Sequence, residues 1–412
     1  MSRSGIVELS RRSAMRIGGL SAASLLLARS ASSASAQPAP VDQGSVSGDK
    51  VKFSPIASGN EASEKSQEPP LAPKDRVGFA VVALGRLSIE QILPAFAQST
   101  RCKVTALVSG SPEKLKAVGA HYGIPAESLY GYDDFDRVAQ NDAVQVVYIV
   151  LPNSMHREFV LRAAAARKHV LCEKPMATSS ADAKTMIAAC ADAGVKLMIA
   201  YRCRYEPHHV EVIKRAQGGD LGPIKLIEAI NGQNQGDPSQ WRLRKALSGG
   251  GALPDVGIYC LNAARAVTGE EPVEIEAQVH STPNDPRFRE VEETVNWLMR
   301  FPSGVMANLS TSYGVHRASR LAVNLDGGSL VLEHAFPYHG QRLLEVRARD
   351  QLDTEAVIQV SPKDHFATEM DHMAECVLKG ETPRTPGEEG LRDMLLMEAI
   401  YKAAESRTSV KV

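Results

Sequence analysis

The spacing of apolar and polar residues changes once along this chain, and the change divides it in two. From residue 77 to about residue 201, continuous apolar runs typical of buried strands alternate with stretches of helical spacing. This alternation predicts a doubly wound parallel sheet, which binds ligands at the carboxyl ends of its strands. The predicted strands are 77–85, 103–109, 143–152, 169–173 and 196–201, and the predicted helices are 88–99, 112–123, 155–168 and 179–194.

Beyond Tyr201 the apolar residues recur mostly at every second position. In 294–301, for example, Val295, Trp297, Met299 and Phe301 share one face. Successive strands without helices between them predict a large, mostly antiparallel open sheet. The fold class is therefore α/β, with a Rossmann-type domain at 77–201 and a C-terminal α+β domain at 202–412. In that second domain we predict strands at 224–231, 294–301, 304–313, 320–327, 329–334 and 342–348, and helices at 206–217, within 238–268, at 363–380 and at 388–406.

The N-terminal region has neither pattern. Arg11 and Arg12 precede a modestly apolar stretch at 17–28, and Ala34-Ser35-Ala36 forms a small-residue cleavage site. The apolar stretch is shorter than the roughly 20 residues that span a bilayer. We therefore expect residues 1–36 to be a twin-arginine export signal that delivers the folded protein to the periplasm, with an ordinary secretory signal as the alternative. Residues 37–76, rich in Pro and Ser, are predicted to be an extended arm.

Composition narrows the function classes. The 412 residues are 43% hydrophobic and 23% charged, which suits two globular domains. A formal net charge of -1 makes nucleic acid an unexpected partner. The six cysteines are widely spaced and the sequence has no HExxH pattern, so we expect no bound metal. The spacing of the cysteines neither requires nor excludes disulfide bonds.

The first turn of the parallel domain and the end of its second strand are the candidate cofactor site. Gly85, followed by Arg86 and Leu87, stands where a glycine-rich turn would approach a pyrophosphate, although a structural turn is an equal alternative. In 109–114, Ser109 and Ser111 can bind a ribose 2'-phosphate and Lys114 can supply the countercharge, whereas NAD-binding domains place an acid there. The expected cofactor is therefore NADP. The alternative is that Lys114 merely lies on a solvated first helical turn.

Two further segments are candidates for catalysis. Lys174 follows a predicted parallel strand and precedes Pro175, so it belongs to the ligand-binding edge. Asp255 and Tyr259 are four residues apart after three glycines, which places both on one helical face. A tyrosine near a lysine can serve as general acid and base for a hydroxyl proton. Read alone, Asp255 and Tyr259 would more often be a helix-terminal charge and a core aromatic.

Taken together, five segments resemble the Gfo/Idh/MocA oxidoreductase family: 150-VLPNSMH-156, 172-CEKPMA-177, 201-YRCRYEP-207, 241-WRLRKALSGGGALPDVGIYCLN-262 and 270-EEPVE-274. The resemblance implies that Lys174 and Tyr259 are the catalytic pair and that Asp255 assists at a sugar. It also implies that Ser109, Lys114 and Tyr132 hold the adenosine phosphate end of the cofactor. Residues implied to line the nicotinamide and sugar region are Pro152, Asn153, His156, Glu173, Arg202 and Trp241. Ala83 departs from the family pattern, which usually has glycine there.

The resemblance further implies a homo-oligomer, a dimer or tetramer, built through the open sheet, with the arm of exported members packed across a neighbouring subunit. The expected activity is that of a sugar oxidoreductase with tightly bound NADP. It would oxidise an aldose such as glucose to its lactone and pass the hydride to a second sugar such as fructose in a ping-pong cycle. Alternatives are aldose-aldose exchange, a simple NADP-dependent aldose dehydrogenase, an NAD-dependent glycosidase and a non-catalytic sugar-sensing protein.

Overall fold

The structure, a computed structural model, describes residues 45–47, 50–52, 71–349 and 352–412 of the chain. Strands β1 (Ser45–Ser47) and β2 (Lys50–Lys52) pair antiparallel as a small hairpin, which forms part of a compact unit separate from the rest. The export signal expected at 1–36 lies outside the described residues, as does most of the arm expected at 37–76. Everything below concerns the second compact unit.

A six-stranded, all-parallel sheet forms the first half of this unit, as predicted. Its order is β5-β4-β3-β6-β7-β8, so the strand order reverses between β3 and β6. Ligands bind open α/β sheets at such a reversal, outside the carboxyl ends of the strands. The strands are β3 (Val77–Val82), β4 (Cys102–Val108), β5 (Leu129–Tyr130), β6 (Val146–Ile149), β7 (His169–Glu173) and β8 (Leu197–Ala200).

The crossover helices start where the sequence supplies caps. The hydroxyl of Ser111 accepts a hydrogen bond from the amide of Lys114, and Ser179 caps the amide of Asp182 in the same way. The predicted helix 88–99 is instead a π turn at Ser88–Ile92 that continues directly into the three-residue helix Leu93–Ala95. Pro94, in this second part, has no N–H to donate to the helical ladder. The helices are α1 (Leu93–Ala95), α2 (Pro112–Tyr122), α3 (Asn153–Ala165) and α4 (Ser180–Asp192).

The second sheet has nine strands in the order β16-β15-β14-β13-β9-β12-β11-β10-β17. Only β9 and β12 pair in parallel. Val295, Trp297, Met299 and Phe301 are buried while Asn296 is exposed, which confirms the predicted period of two. The strands are β9 (Ile224–Gln233), β10 (Glu274–His280), β11 (Thr294–Arg300), β12 (Met306–Ser312), β13 (Arg317–Leu325), β14 (Gly328–Glu333), β15 (Arg342–Arg349), β16 (Leu352–Ile358) and β17 (Val410–Lys411).

Five helices accompany this sheet in the chain, and two of them return to the first sheet. Phe366, Met370 and Met373 of α8 share a core with β3 and β4, and α9 packs on α4 and β8. No described helix is both long and apolar enough for a bilayer. The five helices are α5 (Pro207–Gln217), α6 (Lys245–Ser248), α7 (Ile258–Thr268, after a π turn at Leu253–Gly257), α8 (His365–Lys379) and α9 (Gly387–Ser406).

Candidate active site

Lys174 is the first residue after β7, at the ligand-binding edge of the parallel sheet. Glu173 before it is buried and accepts a hydrogen bond of 2.9 Å from the Tyr148 hydroxyl. Pro175 after it places its carbonyl 3.0 Å from Nδ1 of His156. These hydrogen bonds fix Glu173 and Pro175 on either side of the lysine. The lysine side chain, 10% exposed, reaches across the sheet edge toward the second half of the unit.

The lysine meets Asp255 in the π turn before α7. Its Nζ donates to the main-chain oxygen of Asp255 at 2.7 Å and lies 3.5 Å from Oδ1. The other carboxylate oxygen accepts from Nε of Arg242 at 3.1 Å and from the Tyr313 hydroxyl at 2.7 Å. Burial alone would raise the pKa of Asp255, but the charges of Arg242 and Lys174 outweigh it and lower the pKa to about 2. The Asp255 carboxylate is thus ionised, and it orients the side chains of Lys174 and Arg242.

Tyr259 stands between two cations. Nζ of Lys174 lies 4.6 Å from the centre of its ring, and Cζ of Arg202 lies 4.7 Å from it. Nε of Arg202 also donates to the tyrosine hydroxyl at 3.1 Å. Burial raises the pKa of this phenol above its usual value, while Arg202 acts in the opposite direction. The hydroxyl is therefore neutral at rest, with a cation placed to stabilise its anion.

The glycines before this turn allow a close main-chain approach. A Cβ on Gly251 would lie 2.1 Å from the carbonyl oxygen of Glu292, and one on Gly250 would lie 2.2 Å from the Tyr401 hydroxyl. The buried Glu292 carboxylate accepts from the amides of Gly251 and Leu253 at 2.8 and 2.9 Å. These contacts require glycine and fix the position from which Asp255 and Tyr259 project.

The candidate cofactor residues meet at the ends of β3 and β4. Nζ of Lys114 donates to the carbonyl of Leu84 at 3.3 Å, so the ammonium lies at the first turn. Gly85 is exposed, with no atom within 4 Å of a Cβ built on it. Ser109 is buried and its hydroxyl accepts from the amide of Ser111 at 3.2 Å. Two hydroxyls, an ammonium and the N-terminus of α2 are the donors that a 2'-phosphate requires, so these residues fit NADP.

Ala83 itself has φ of 78°, in the left-handed region that favours glycine. The chain thus makes a left-handed turn at a position that lacks the glycine which would make the turn free of strain. Arg86 is exposed and its Nε lies 3.7 Å from Glu90, and Leu87 is half-buried beside it.

The remaining predicted residues surround this edge in supporting positions. Tyr132 packs its ring under Gly110, and Pro152 caps α3. Asn153 donates to the carbonyl of Ser248 at 2.8 Å and so ties α3 to α6. His156 is fully buried with its ring nitrogens 3.0 and 2.8 Å from the carbonyls of Pro175 and Leu151, so it braces the lysine turn from beneath. Trp241 stacks on the guanidinium of Arg242, whose Cζ is 4.6 Å from its ring centre.

Sequence reasoning missed four residues of the site: Arg242, Tyr313, Phe336 and Tyr338. Arg242 lies inside the segment 241–262. The sequence signal for it is that a buried carboxylate such as Asp255 needs a cationic partner. Tyr338 faces Arg202, with Cζ of the arginine 4.8 Å from its ring centre, and Phe336 accepts from Nη2 of Arg202 through its carbonyl. No sequence cue links these loop residues to the arginine.

The arrangement as a whole suits proton transfer at a sugar hydroxyl. It offers one neutral phenol, two cations beside it and a fixed carboxylate. The described part of the chain has no cluster of three metal-ligating side chains, and its six cysteines are free thiols.

Comparison with known proteins agrees with this geometry. Residues 77–201 match the "Oxidoreductase family, NAD-binding Rossmann fold" and residues 209–331 match the "GFO/IDH/MocA C-terminal domain". The chain is 33% identical over 355 residues to a D-xylose 1-dehydrogenase [NADP(+)] of Haloarcula marismortui, covering 83% of this chain and 94% of that protein.

Two solved structures are also similar. Aldose-aldose oxidoreductase from Caulobacter crescentus, complexed with glycerol, is 44% identical with a TM-score of 0.79, covering 82% of this chain and all of that one. A 3-ketoreductase from Actinomadura kijaniata in complex with TDP-benzene and NADP is 25% identical with a TM-score of 0.70, covering 80% and 98%. The chain belongs to the Gfo/Idh/MocA oxidoreductase family.

Proposed function

We propose that this protein is a periplasmic, NADP-containing sugar oxidoreductase that exchanges hydride between two sugars. That the protein is an NADP-dependent sugar oxidoreductase follows from its family and from its sugar-specific relatives. The observation that favours exchange is the 44% identity to aldose-aldose oxidoreductase, and the Lys174–Tyr259–Arg202 cluster at the sheet edge provides the proton transfer that the exchange needs.

The cofactor is NADP. Ser109, Ser111 and Lys114 would hold its 2'-phosphate, and the turn at Gly85 leaves room for its pyrophosphate. When bound, NADP supplies the hydride acceptor and donor of the reaction. Two relatives that match this chain over most of its length are named as NADP(+)-dependent D-xylose 1-dehydrogenases, and the 3-ketoreductase was solved with NADP.

The residues of the site would divide the work as follows. The Tyr259 phenol would first release its proton to solvent. Lys174 and Asp255 orient the C1 hydroxyl of a cyclic aldose, and the Tyr259 anion takes its proton. Lys174 and Arg202 stabilise the anionic form in which the phenol can accept that proton. Loss of the hydroxyl proton and of a hydride from C1 converts the aldose to its lactone. In the second half-reaction the carbonyl carbon of the acceptor sugar would receive the hydride and Tyr259 would return a proton to the carbonyl oxygen, which makes this sugar an alditol.

Export supports a closed cycle of this kind. Arg11-Arg12 and the cleavage site at 34–36 indicate a periplasmic destination, and the twin-arginine route carries folded proteins. Since the periplasm has no soluble NADPH pool, the enzyme would have to retain its cofactor and regenerate it with a second substrate. The proposal is therefore a ping-pong cycle in one site.

A second aldose is the favoured acceptor, because of the similarity to aldose-aldose oxidoreductase. A ketose acceptor, as in glucose-fructose oxidoreductase, is distinguished by product analysis. We would desalt the purified protein and incubate it without added NADP, first with glucose alone and then with glucose plus fructose. Sorbitol from glucose alone supports aldose-aldose exchange, and sorbitol only in the mixture shifts the acceptor to a ketose.

The second candidate is a simple aldose dehydrogenase, which the 33% identity to a D-xylose 1-dehydrogenase favours. It would release its cofactor after each turnover. Protein that loses NADP on gel filtration and oxidises sugar only when soluble NADP is added would overturn the exchange cycle and establish this alternative.

A further inference from the structure

A buried acid lies behind the proposed active site and takes no part in the steps above. Glu369, on α8, is completely buried, and neither of its carboxylate oxygens has a hydrogen-bond partner among the described residues. Buried carboxylates are normally paired or hydrogen-bonded, since an isolated buried charge is very costly. An unpaired carboxyl in this position is therefore expected to be neutral.

Its surroundings belong to the site. Glu173 is near Glu369 but is already engaged, since it accepts from the Tyr148 hydroxyl at 2.9 Å and from the Lys174 amide at 3.3 Å. The single proton of the Tyr148 hydroxyl is thus committed to Glu173. The titratable groups that lie close enough to influence the charge of Glu369 are Tyr148, Glu173, Arg202, Cys203 and Tyr205.

Arg202 connects this acid to Tyr259. Its Nε donates to the Tyr259 hydroxyl and its Nη2 to the carbonyl of Phe336, whereas its Nη1 is buried and has no partner in the part of the chain that the structure describes. The positive charge of Arg202 therefore acts on both the Tyr259 phenol and the Glu369 carboxyl.

The charge on Glu369 decides what Arg202 can do. Burial and the nearby Glu173 carboxylate raise the pKa of Glu369 well above its usual value. A neutral Glu369 leaves the positive charge of Arg202 free to stabilise the Tyr259 anion. An ionised Glu369 would compensate that charge and place a second negative charge beside Glu173, which would make the phenol harder to ionise.

We propose that Glu369 is a positioning residue whose carboxyl stays protonated in the active enzyme, so that Arg202 serves Tyr259 alone. Activity is then present while Glu369 is neutral and is lost as pH rises and the carboxyl ionises. The catalytic consequence rests on the proposed function, whereas the protonation of Glu369 does not.

Infrared spectroscopy tests the protonation without any turnover. The purified protein should show a protonated-carboxyl C=O band at pH 7 that shifts in D₂O and is absent in Glu369→Gln. In Glu173→Gln the same band should titrate lower by about one pH unit or more, because a like charge is removed. The Glu173 variant also keeps the test available if Glu369→Gln does not fold. Absence of the band from wild type at pH 7 would overturn the proposal.

The pH dependence of activity tests the role. Above the pKa the protonated fraction falls about tenfold per pH unit, so wild-type kcat should decline with that slope on the alkaline side. Glu369→Gln is permanently neutral and should keep its neutral-pH kcat while its decline moves to higher pH by one unit or more. Glu375→Gln, on the same helix but paired with Arg101 at 3.0 Å, should follow the wild-type profile.

An unchanged alkaline limb in Glu369→Gln would remove the positioning role. If the desalted protein forms no sorbitol from either sugar mixture but still shows the infrared band, the result counts against the proposed exchange cycle and not against the protonation of Glu369. The two failures are therefore distinguishable.

Discussion

At the scale of single residues, the proton chemistry depends on one hydroxyl. In Tyr259→Phe the ring remains between Lys174 and Arg202, but no group is left to exchange a proton. We expect kcat to fall by about 10²–10⁴-fold with little change in sugar affinity, the usual contribution of a general acid or base. Steady-state kinetics with the retained cofactor and a sugar-binding titration measure both.

Tyr338→Phe is the matched control, because Tyr338 also stacks on Arg202 and the ring would be kept. It should retain most of its activity. A Tyr259→Phe enzyme within a few-fold of wild type would contradict the assignment of Tyr259 and leave Lys174 as the remaining candidate base.

The sequence predicted the centre of this site better than its periphery. Lys174, Asp255 and Tyr259 were predictable because each follows a strand end or a glycine turn, and the structure brings all three together. Tyr313 was not, since it lies 58 residues from the carboxylate it binds and only the β12 register carries it there. Glu369 reaches the site from a helix whose pattern is that of an ordinary core element.

At the scale of elements, the turn after β3 stores strain in Ala83. The left-handed backbone destabilises the folded state by roughly 1–2 kcal/mol when the residue has a Cβ. Glycine avoids this cost, but its greater freedom in the unfolded chain lowers the stability by about 0.4–1 kcal/mol. Ala83→Gly should therefore raise the free energy of unfolding slightly, by up to about 1 kcal/mol. Urea unfolding of the desalted protein measures this change.

Ala80→Gly serves as the comparison, because Ala80 is buried within β3 and does not have a positive φ. It should destabilise the protein by about 0.5–1 kcal/mol. Equal destabilisation by both substitutions would show that the Ala83 turn is not strained.

Among the elements, those with strong periodicity were predicted and those without it were missed. The alternation in β11 fixed both its existence and its buried face. By contrast, β5 has only two residues, and nearly all of β16 is exposed, so neither shows an apolar alternation. The π turn at Ser88–Ile92 and the end of the helix at Ala95 depend on main-chain hydrogen bonds, which hydrophobic spacing does not report.

At the scale of the whole molecule, the proposed periplasmic destination rests on the N-terminal arginines. Replacing Arg11 and Arg12 by lysine should block twin-arginine export and leave the precursor in the cytoplasm. Arg16→Lys, outside the pair, should be exported normally. Immunoblots of the periplasmic and cytoplasmic fractions measure both, and continued export of the double variant would favour an ordinary secretory route.

The last two helices have a consequence for how the chain is made. α8 and α9 cover the parallel sheet of the first half, and Arg265 of α7 binds Asp393 of α9 at 2.5 Å. A ribosome that has synthesised residues 71–201 has thus made all six strands of the nucleotide-binding sheet and its crossover helices α1–α4, but not α8 and α9, which complete its cover. The sheet that carries the cofactor residues is fully covered only when these last two helices emerge, so we expect stable binding of NADP to begin after translation ends.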